Sequence, residues 1–468
     1  MTAVLASAGS GQRKPPRPGG NDHMPLGGLG CEGDIEIDSK AGRVFRIATI
    51  ETDGPAARGG LEIGDGLVAL NGKSLRKKGD AVLILEKQIE LSESRADGRL
   101  DATFYRDGEK RSATLRVDTL GAHERTCPAK CAKCADIRRR AVEFLVQTQT
   151  KAGSWKTALG GNNGQVVVTV LSGLALLGAG GHQGAVDRAI DYVIKTLGAP
   201  SPFDRLRKQR GGANWNQENW PYSYAPLLLA TKRQDPDVAR KLGEIAKKLV
   251  ANQEGSGGYA HGPGGPNALG YLELEIVSNY ALASLGLIRD HGLPVDEAGV
   301  DRGLGYIRAC QSGDGGVAYS TREGQAGHGD PGRTAGAYFA LLRNGLGRSK
   351  AARKMLKFFE RGMDRLPSGH VSPMMHILAG AMAVRASGKK KLVKAFWKTY
   401  RPYIMASRLH SGAFAARPTK ESQLIHSNTD RTLGHAWTTA TLLIVMNIAR
   451  DEKAYPHLFG PAVKRPKP

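Results

Sequence analysis

The spacing of apolar positions changes character once along the chain. Between residues 24 and 117 apolar residues fall in short alternating runs bounded by glycine turns, the signature of strands. Residues 34–37 and 43–50 read as two such runs. Asn71-Gly72 reads as a hairpin turn, because both positions tolerate positive φ. Residues 80–91 carry apolar side chains at 81, 82, 84, 85 and 89 and predict one helix. Residues 100–105 and 112–117, with Asp107-Gly108 between them, predict a closing hairpin.

From residue 136 onward the period becomes helical, and the pattern repeats. Six times a helical stretch runs into a glycine-rich loop, at 149–155, 209–215, 253–259, 311–319, 367–370 and 410–414. Each loop is followed by a more apolar helix, as at 166–177, 272–288, 334–342, 373–384 and 436–448. The partners, such as 137–147 and 239–252, are amphipathic. Six hairpins of this kind predict an all-α, six-hairpin α/α toroid, with the apolar helices inside and the amphipathic ones outside. The expected organisation is a leader at 1–23, a small β-rich domain at 24–120, a cysteine-containing linker at 121–135, the toroid at 136–455 and a basic, proline-rich tail at 456–468.

Composition changes this picture little. Hydrophobic residues make up 40% and charged residues 24% of the 468, as in a globular chain with more than one core. Lys and Arg number 67 against 44 Asp and Glu. The excess is dispersed, so no specific nucleic-acid partner is expected. No run approaches the roughly 18 apolar residues of a membrane helix, so no transmembrane segment is expected. Residues 1–9 end in Ala6-Ser7-Ala8, like the end of an export signal. The expected location is periplasmic or extracellular if the true start lies upstream, and cytoplasmic otherwise.

The run Gly54-Pro55-Ala56-Ala57 through Gly64-Asp65 to Leu70-Asn71-Gly72-Lys73 resembles the central segment of bacterial PDZ domains. That resemblance implies a loop whose backbone amides receive a peptide C-terminal carboxylate, and a strand edge that accepts an extended peptide. The matching loop is Leu26-Gly27-Gly28-Leu29-Gly30, which makes Gly27, Gly28, Leu29 and Gly30 the expected peptide-binding residues. A groove filled by the chain's own linker is the competing arrangement. Gln149 to Trp155, with Gly153-Ser154 between, resembles the Q-W repeat of squalene cyclases and the loops of protein prenyltransferase β-subunits, where the Gln caps helix ends and stacks on the aromatic ring. The whole chain resembles an uncharacterised family of exported bacterial proteins that join a PDZ domain to this toroid; Leu120-Gly121-Ala122 and Cys127-Pro128 match the junction.

The chemistry of those relatives is not carried over. The Asp-rich D-x-D-D acid of protonating cyclases is absent. The only cysteine of the toroid proper is Cys310, so the zinc triad of prenyltransferases is not expected. Cys127, Cys131 and Cys134 have the C-x3-C-x2-C spacing of radical-SAM enzymes, but lie between a closed sheet and a helical domain rather than in a β/α barrel. With His123 they could hold a structural zinc; a disulfide, or an elbow with no metal, are the alternatives, and no cofactor is required.

The first turns of the inner helices should line the toroid's mouth, which brings up Glu273, Glu275, His328, Asp330, Arg333, His370, His376, Asp430, Arg431 and His435. Of these, Glu273, Asp330, His376 and His435 are the expected acid–base set, provided they converge. Trp155, Trp215, Trp220, Tyr222 and Tyr224 are read as packing rings. The first functional reading is a peptide-binding module coupled to a toroid that binds a second, polar ligand such as a glycan, an interaction protein. The alternative is a toroid enzyme acting on a polysaccharide through cavity carboxylates and histidines. An isoprenoid cyclase or transferase is disfavoured by the missing motifs.

Overall fold

The computed structural model describes residues 23–76, 81–159, 161–199, 217–263, 273–322, 327–369, 372–416 and 428–463. The expected leader up to residue 22, the 209–215 loop with Trp215, His370 and the last five residues lie outside the described residues.

The N-terminal domain is an antiparallel sheet. Its strands are β1 (Met24–Pro25), β2 (Cys31–Asp38), β3 (Gly42–Ile50), β4 (Gly66–Leu70), β5 (Lys73–Ser74), β6 (Arg99–Arg106) and β7 (Glu109–Arg116). The order is β1-β2-β3-β4-β6-β7, with β5 on β4. Asn71 and Gly72 both have positive φ, as the turn between β4 and β5 requires. The one-turn helix α1 (Pro55–Arg58) and the longer α2 (Ala81–Glu93) complete the domain. Leu85 and Ile89 of α2 pack on Phe45, Leu67, Leu100 and Phe104 of the sheet.

The rest is a double ring. In chain order its helices are α3 (Ala132–Thr148), α4 (Gly161–Ala179), α5 (Gln183–Thr196), α6 (Asn219–Leu229), α7 (Pro236–Ala251), α8 (Glu275–Asp290), α9 (Glu297–Ala309), α10 (Pro331–Arg343), α11 (Lys350–Gly362), α12 (Pro373–Ala386), α13 (Lys390–Ala406), α14 (Asn428–Leu433), α15 (His435–Arg450) and α16 (Pro456–Phe459). Helices α4, α6, α8, α10, α12 and α15 each pack on the next, and α15 returns to α4, closing an inner ring. Helices α3, α5, α7, α9, α11 and α13 form the outer ring. Polarity sorts them: nearly every residue of α12 is buried, whereas α11 buries only Ala352, Met355, Leu356, Phe359 and Gly362 along one stripe. By length and composition α4 could cross a membrane; here it is an inner-ring helix, buried over most of its length.

The glycine-rich loops join one hairpin to the next. Gln149 donates its amide to the carbonyls of Gly153 (3.0 Å) and of Ala185 in the next outer helix (2.8 Å). Gln253 does the same to Gly257 (2.9 Å) and Gly299 (2.8 Å), and Gln311 to Gly315 (3.4 Å) and Ala351 (3.1 Å). Gly153, Gly257 and Gly315 have φ of 90°, 90° and 99°, and a Cβ on each would overlap the backbone of the following outer helix. The repeated Gln and Gly are thus a clip between neighbours. Gln253→Ala is expected to lower the unfolding free energy by about 1–3 kcal/mol, two half-buried hydrogen bonds, and Gly257→Ala by more, because strain and overlap add. Urea unfolding checks both; unchanged midpoints would mean that the clip is ornamental.

The two domains share a buried ionic contact. Glu93, the last residue of α2, lies 2.7 Å from Lys133 Nζ of α3 and 2.9 Å from Arg408 Nη2, just past α13. Glu51 accepts the backbone amides of His410 (2.7 Å) and Ser411 (3.1 Å), and Asp118 pairs with Arg140. Residues 456–463, the start of the expected basic, proline-rich tail, pack on the end of the ring. Leu458 is buried, and the His457 ring nitrogen lies 2.9 Å from the Leu227 carbonyl, because the apolar pair Leu458-Phe459 finds room there.

Candidate functional site

The starts of α8, α10 and α12, with α14, bring a set of ionisable groups together at one end of the inner ring. Asp330 caps α10, its Oδ1 accepting the amides of Gly332 and Arg333 at 2.9 Å each. His376, one turn into α12, places Nδ1 3.0 Å from the same oxygen. Gly332 and Gly369 leave space for this imidazole, which a Cβ on either would strike. Burial opposes ionisation of Asp330, but the His376 imidazole, Arg333 and the two amides outweigh it and hold the carboxyl well below its usual range.

Asp430 of α14 is fully buried. Its Oδ1 accepts from Ser372 Oγ (2.5 Å) and Trp437 Nε1 (2.8 Å), and its Oδ2 from the Met374 amide (3.1 Å). Burial pushes it up to about 6, against the pull of those bonds and of His376. Glu275, the first residue of α8, is also fully buried, and neither carboxyl oxygen makes a well-formed hydrogen bond among the described residues. Desolvation raises it well above the ordinary carboxylate range, with Arg333 acting in opposition. Tyr224 and Tyr280 stack beside this set with centroids 4.5 Å apart, Trp437 is 6.4 Å from Tyr224, and Asn279 gives its amide to the Arg333 carbonyl (3.1 Å). Between α8, α10 and α12, Tyr280, Phe339 and Met382 surround a small void of about 10 Å³.

Of the four residues expected to converge, the structure joins Asp330 and His376 only. Glu273 lies beside Gly258, Glu254 and Tyr306 at the rim. His435 follows Gly434, whose φ of 87° turns the chain so that the imidazole faces Glu32 of β2, at 3.8 Å, instead of the cavity. Glu275 and Asp430 lie with that pair instead. The signal available for them was position alone, one at a helix start and one in a short helix before α15. Ser372, Trp437, Tyr280 and Asn279 carried no such signal.

The glycine loop of the sheet domain is a 3-10 turn, Gly27–Leu29, packed on Leu85, Glu86 and Ile89 of α2. Gly28 faces Glu93 and Arg408, and Gly30 faces Gly54 and His410. The β2 edge opposite β3 is paired with Met24 and Pro25 at Gly33 and Glu32, and His23 lies 2.7 Å from Asp34. At the domain junction, His123, Cys127, Cys131 and Cys134 place their ligand atoms within 4.8 Å of one another.

Residues 134–448 match a family model described as a domain of unknown function, DUF6288. No curated protein matches. Among solved structures the chain is similar to a variant of the type II terpene cyclase MstE from Scytonema in complex with merosterolic acid A, at 17% identity, covering 68% of this chain and 96% of that one with a TM-score of 0.43. It is similar to a protein from Actinoplanes at 18% identity, covering 68% and 99% with a TM-score of 0.41. A family 76 glycoside hydrolase from a bovine Bacteroides thetaiotaomicron strain matches at 9% identity, covering 75% and 83% with a TM-score of 0.44.

Proposed function

The chain belongs to the DUF6288 family, and on that premise we propose that it is an enzyme whose toroid mouth performs acid–base chemistry on a hydroxyl-rich substrate of the polysaccharide class. One observation carries this reading. Within a single polar cluster the carboxyls are pushed in opposite directions: Asp330 is held ionised, while Glu275 and Asp430 are driven toward the protonated form. Such divergence is how a fold separates an acid from a base at neutral pH. Glu275, neutral and desolvated, is suited to give a proton to a leaving oxygen. Asp430, titrating near 6, is suited to take one from water. Asp330 is a positioning residue that fixes the His376 imidazole.

The polar substrate class is favoured by the wall. The Glu275 oxygens, and the Tyr224 and Tyr280 hydroxyls beyond the contact they make with each other, have hydrogen-bonding capacity that substrate hydroxyls would satisfy. The scaffold reading has less support, because the chain's own Met24 and Pro25 pair with the β2 edge that a peptide would join.

The test is reducing-end release by the full chain from uronic-acid-containing polysaccharides, mannans and glucans between about pH 4 and pH 9. Glu275→Gln is expected to cut the rate about 10²–10⁴-fold, the usual worth of a general acid, with the far-ultraviolet circular dichroism unchanged. A rate equal to that of wild type, or no release from any of the three classes, would sink the proposal.

A further inference from the structure

We propose that His123, Cys127, Cys131 and Cys134 bind one structural zinc ion that fastens the sheet domain to the toroid. This proposal is independent of any chemistry in the toroid mouth. His123 Nδ1 lies 3.6 Å from the Cys127 sulfur, 3.7 Å from that of Cys131 and 3.5 Å from that of Cys134. A tetrahedral zinc with Zn–S of about 2.3 Å and Zn–N of about 2.0–2.1 Å puts each S···N edge near 3.6 Å. Three edges of the tetrahedron are therefore already in place around a common centre. The Cys127 and Cys134 sulfurs, 3.0 Å apart, would part to the roughly 3.8 Å S···S edge of the same tetrahedron on binding, a much smaller movement than a multi-iron cluster would demand of them.

The surroundings suit the ion as well as the ligands do. His123 Nε2 lies 3.3 Å from Glu90 Oε1 on α2, the carboxylate–histidine arrangement that leaves Nδ1 free for a metal. Cys131 is the N-cap of α3 and Cys134 sits in its first turn, where the helix dipole favours thiolates. Three thiolates and one divalent ion leave a net charge of about −1, the sign a helix N-terminus prefers. The indole N–H of Trp397 in α13 lies beside the Cys127 sulfur and has no well-formed hydrogen bond of its own among the described residues, so a thiolate there would accept it. The sheet domain supplies Glu90, the junction supplies His123 and Cys127, and the toroid supplies Cys131, Cys134 and Trp397. One ion would thus hold all three segments. Binding displaces the three thiol protons, which leave to solvent.

The test uses the full chain, purified under reducing conditions and measured by elemental analysis together with alkylation of native and denatured protein. About one zinc per chain is expected, with Cys127, Cys131 and Cys134 protected until a chelator removes it. Replacement by cobalt(II) should give the intense visible absorption of a tetrahedral thiolate site. Cys134→Ser should lose the metal, while Cys310→Ser keeps it, since Cys310 lies outside the cluster. If Cys134→Ser does not fold, Glu90→Ala decides: it leaves all four ligands and is expected to weaken zinc about 10–100-fold in a chelator competition. Metal-free protein with a Cys127–Cys134 disulfide, or with freely alkylated thiols, would overturn the proposal, as would several irons per chain.

Discussion

Glu93→Ala is expected to destabilise the protein by roughly 3–5 kcal/mol, the range for breaking a buried ion pair by removing one partner. Glu93 is 2% exposed, and its two cations, Lys133 and Arg408, are 1% and 6% exposed. Lys133 lies at 2.7 Å and Arg408 at 2.9 Å, so both depend on this carboxylate for their charge balance. Burial alone would depress the Arg408 guanidinium, yet the charge of Glu93, with Glu86 and Glu90 behind it, raises it instead. Alanine at 93 leaves two desolvated cations side by side on the toroid face of the domain interface. The cost should fall on the contact between the domains, so limited proteolysis should begin near the junction in this variant and not in wild type. Because the pair is out of water, the loss should change little between low and high salt. Replacing all three with apolar residues, Glu93→Leu with Lys133→Met and Arg408→Met, should restore most of the stability, since an ion pair and a well-packed apolar contact are often near parity. A urea midpoint for Glu93→Ala within error of wild type would show that the cations find other partners and that this contact does not bind the domains.

That contact also shows where sequence patterns stop being informative. The toroid was legible because its signals are local and repeated. A glutamine four residues before a glycine recurs at Gln149, Gln253 and Gln311, and the glycine is forced by its positive φ against the next helix. Inner and outer helices differ in how much of their circumference is apolar, which can be counted without a structure. By contrast, Lys133 and Arg408 meet Glu93 from opposite ends of the toroid sequence, and no spacing rule links them. The choice between Glu273 and Glu275 is equally inaccessible. Backbone bonds from Leu274 to the Tyr259 carbonyl and from Glu275 to the Tyr319 carbonyl hold this segment in the register that buries Glu275. His435 was misplaced for a similar reason, since the turn at Gly434 points it at a strand from another domain. The cysteine spacing was visible, but Glu90 behind His123 comes from α2 and could not be inferred from it.

At neutral to alkaline pH, Glu275→Gln is expected to make the protein more stable than wild type, and at about pH 4 to leave it unchanged. The folded chain holds the Glu275 proton well above the ordinary 4.5, so it binds that proton over a range where the unfolded chain has lost it. Stability then falls as pH rises from the unfolded value toward the folded one. Glutamine, which does not titrate, escapes that loss. Asp430 behaves in the same sense with a defined window. Raised from 3.8 to about 6, it should cost about 3 kcal/mol as pH climbs between those values, at about 1.4 kcal/mol per unit. Asp430→Asn should flatten that segment, less the hydrogen bond lost where its new amide meets the Met374 N–H. Asp330 has the opposite sign. Its folded value is depressed, so its contribution is present above 3.8 and lost as pH falls through the depressed value, and Asp330→Asn should destabilise at neutral pH. Melting curves from about pH 4 to pH 9 test the three together. If Glu275→Gln gains nothing at the alkaline end, Glu275 is not held as a neutral acid and the proposed proton donor fails with it. If it gains while losing turnover, the chain keeps at this position a residue that lowers its own stability, which packing alone would not require and a proton-donating role would.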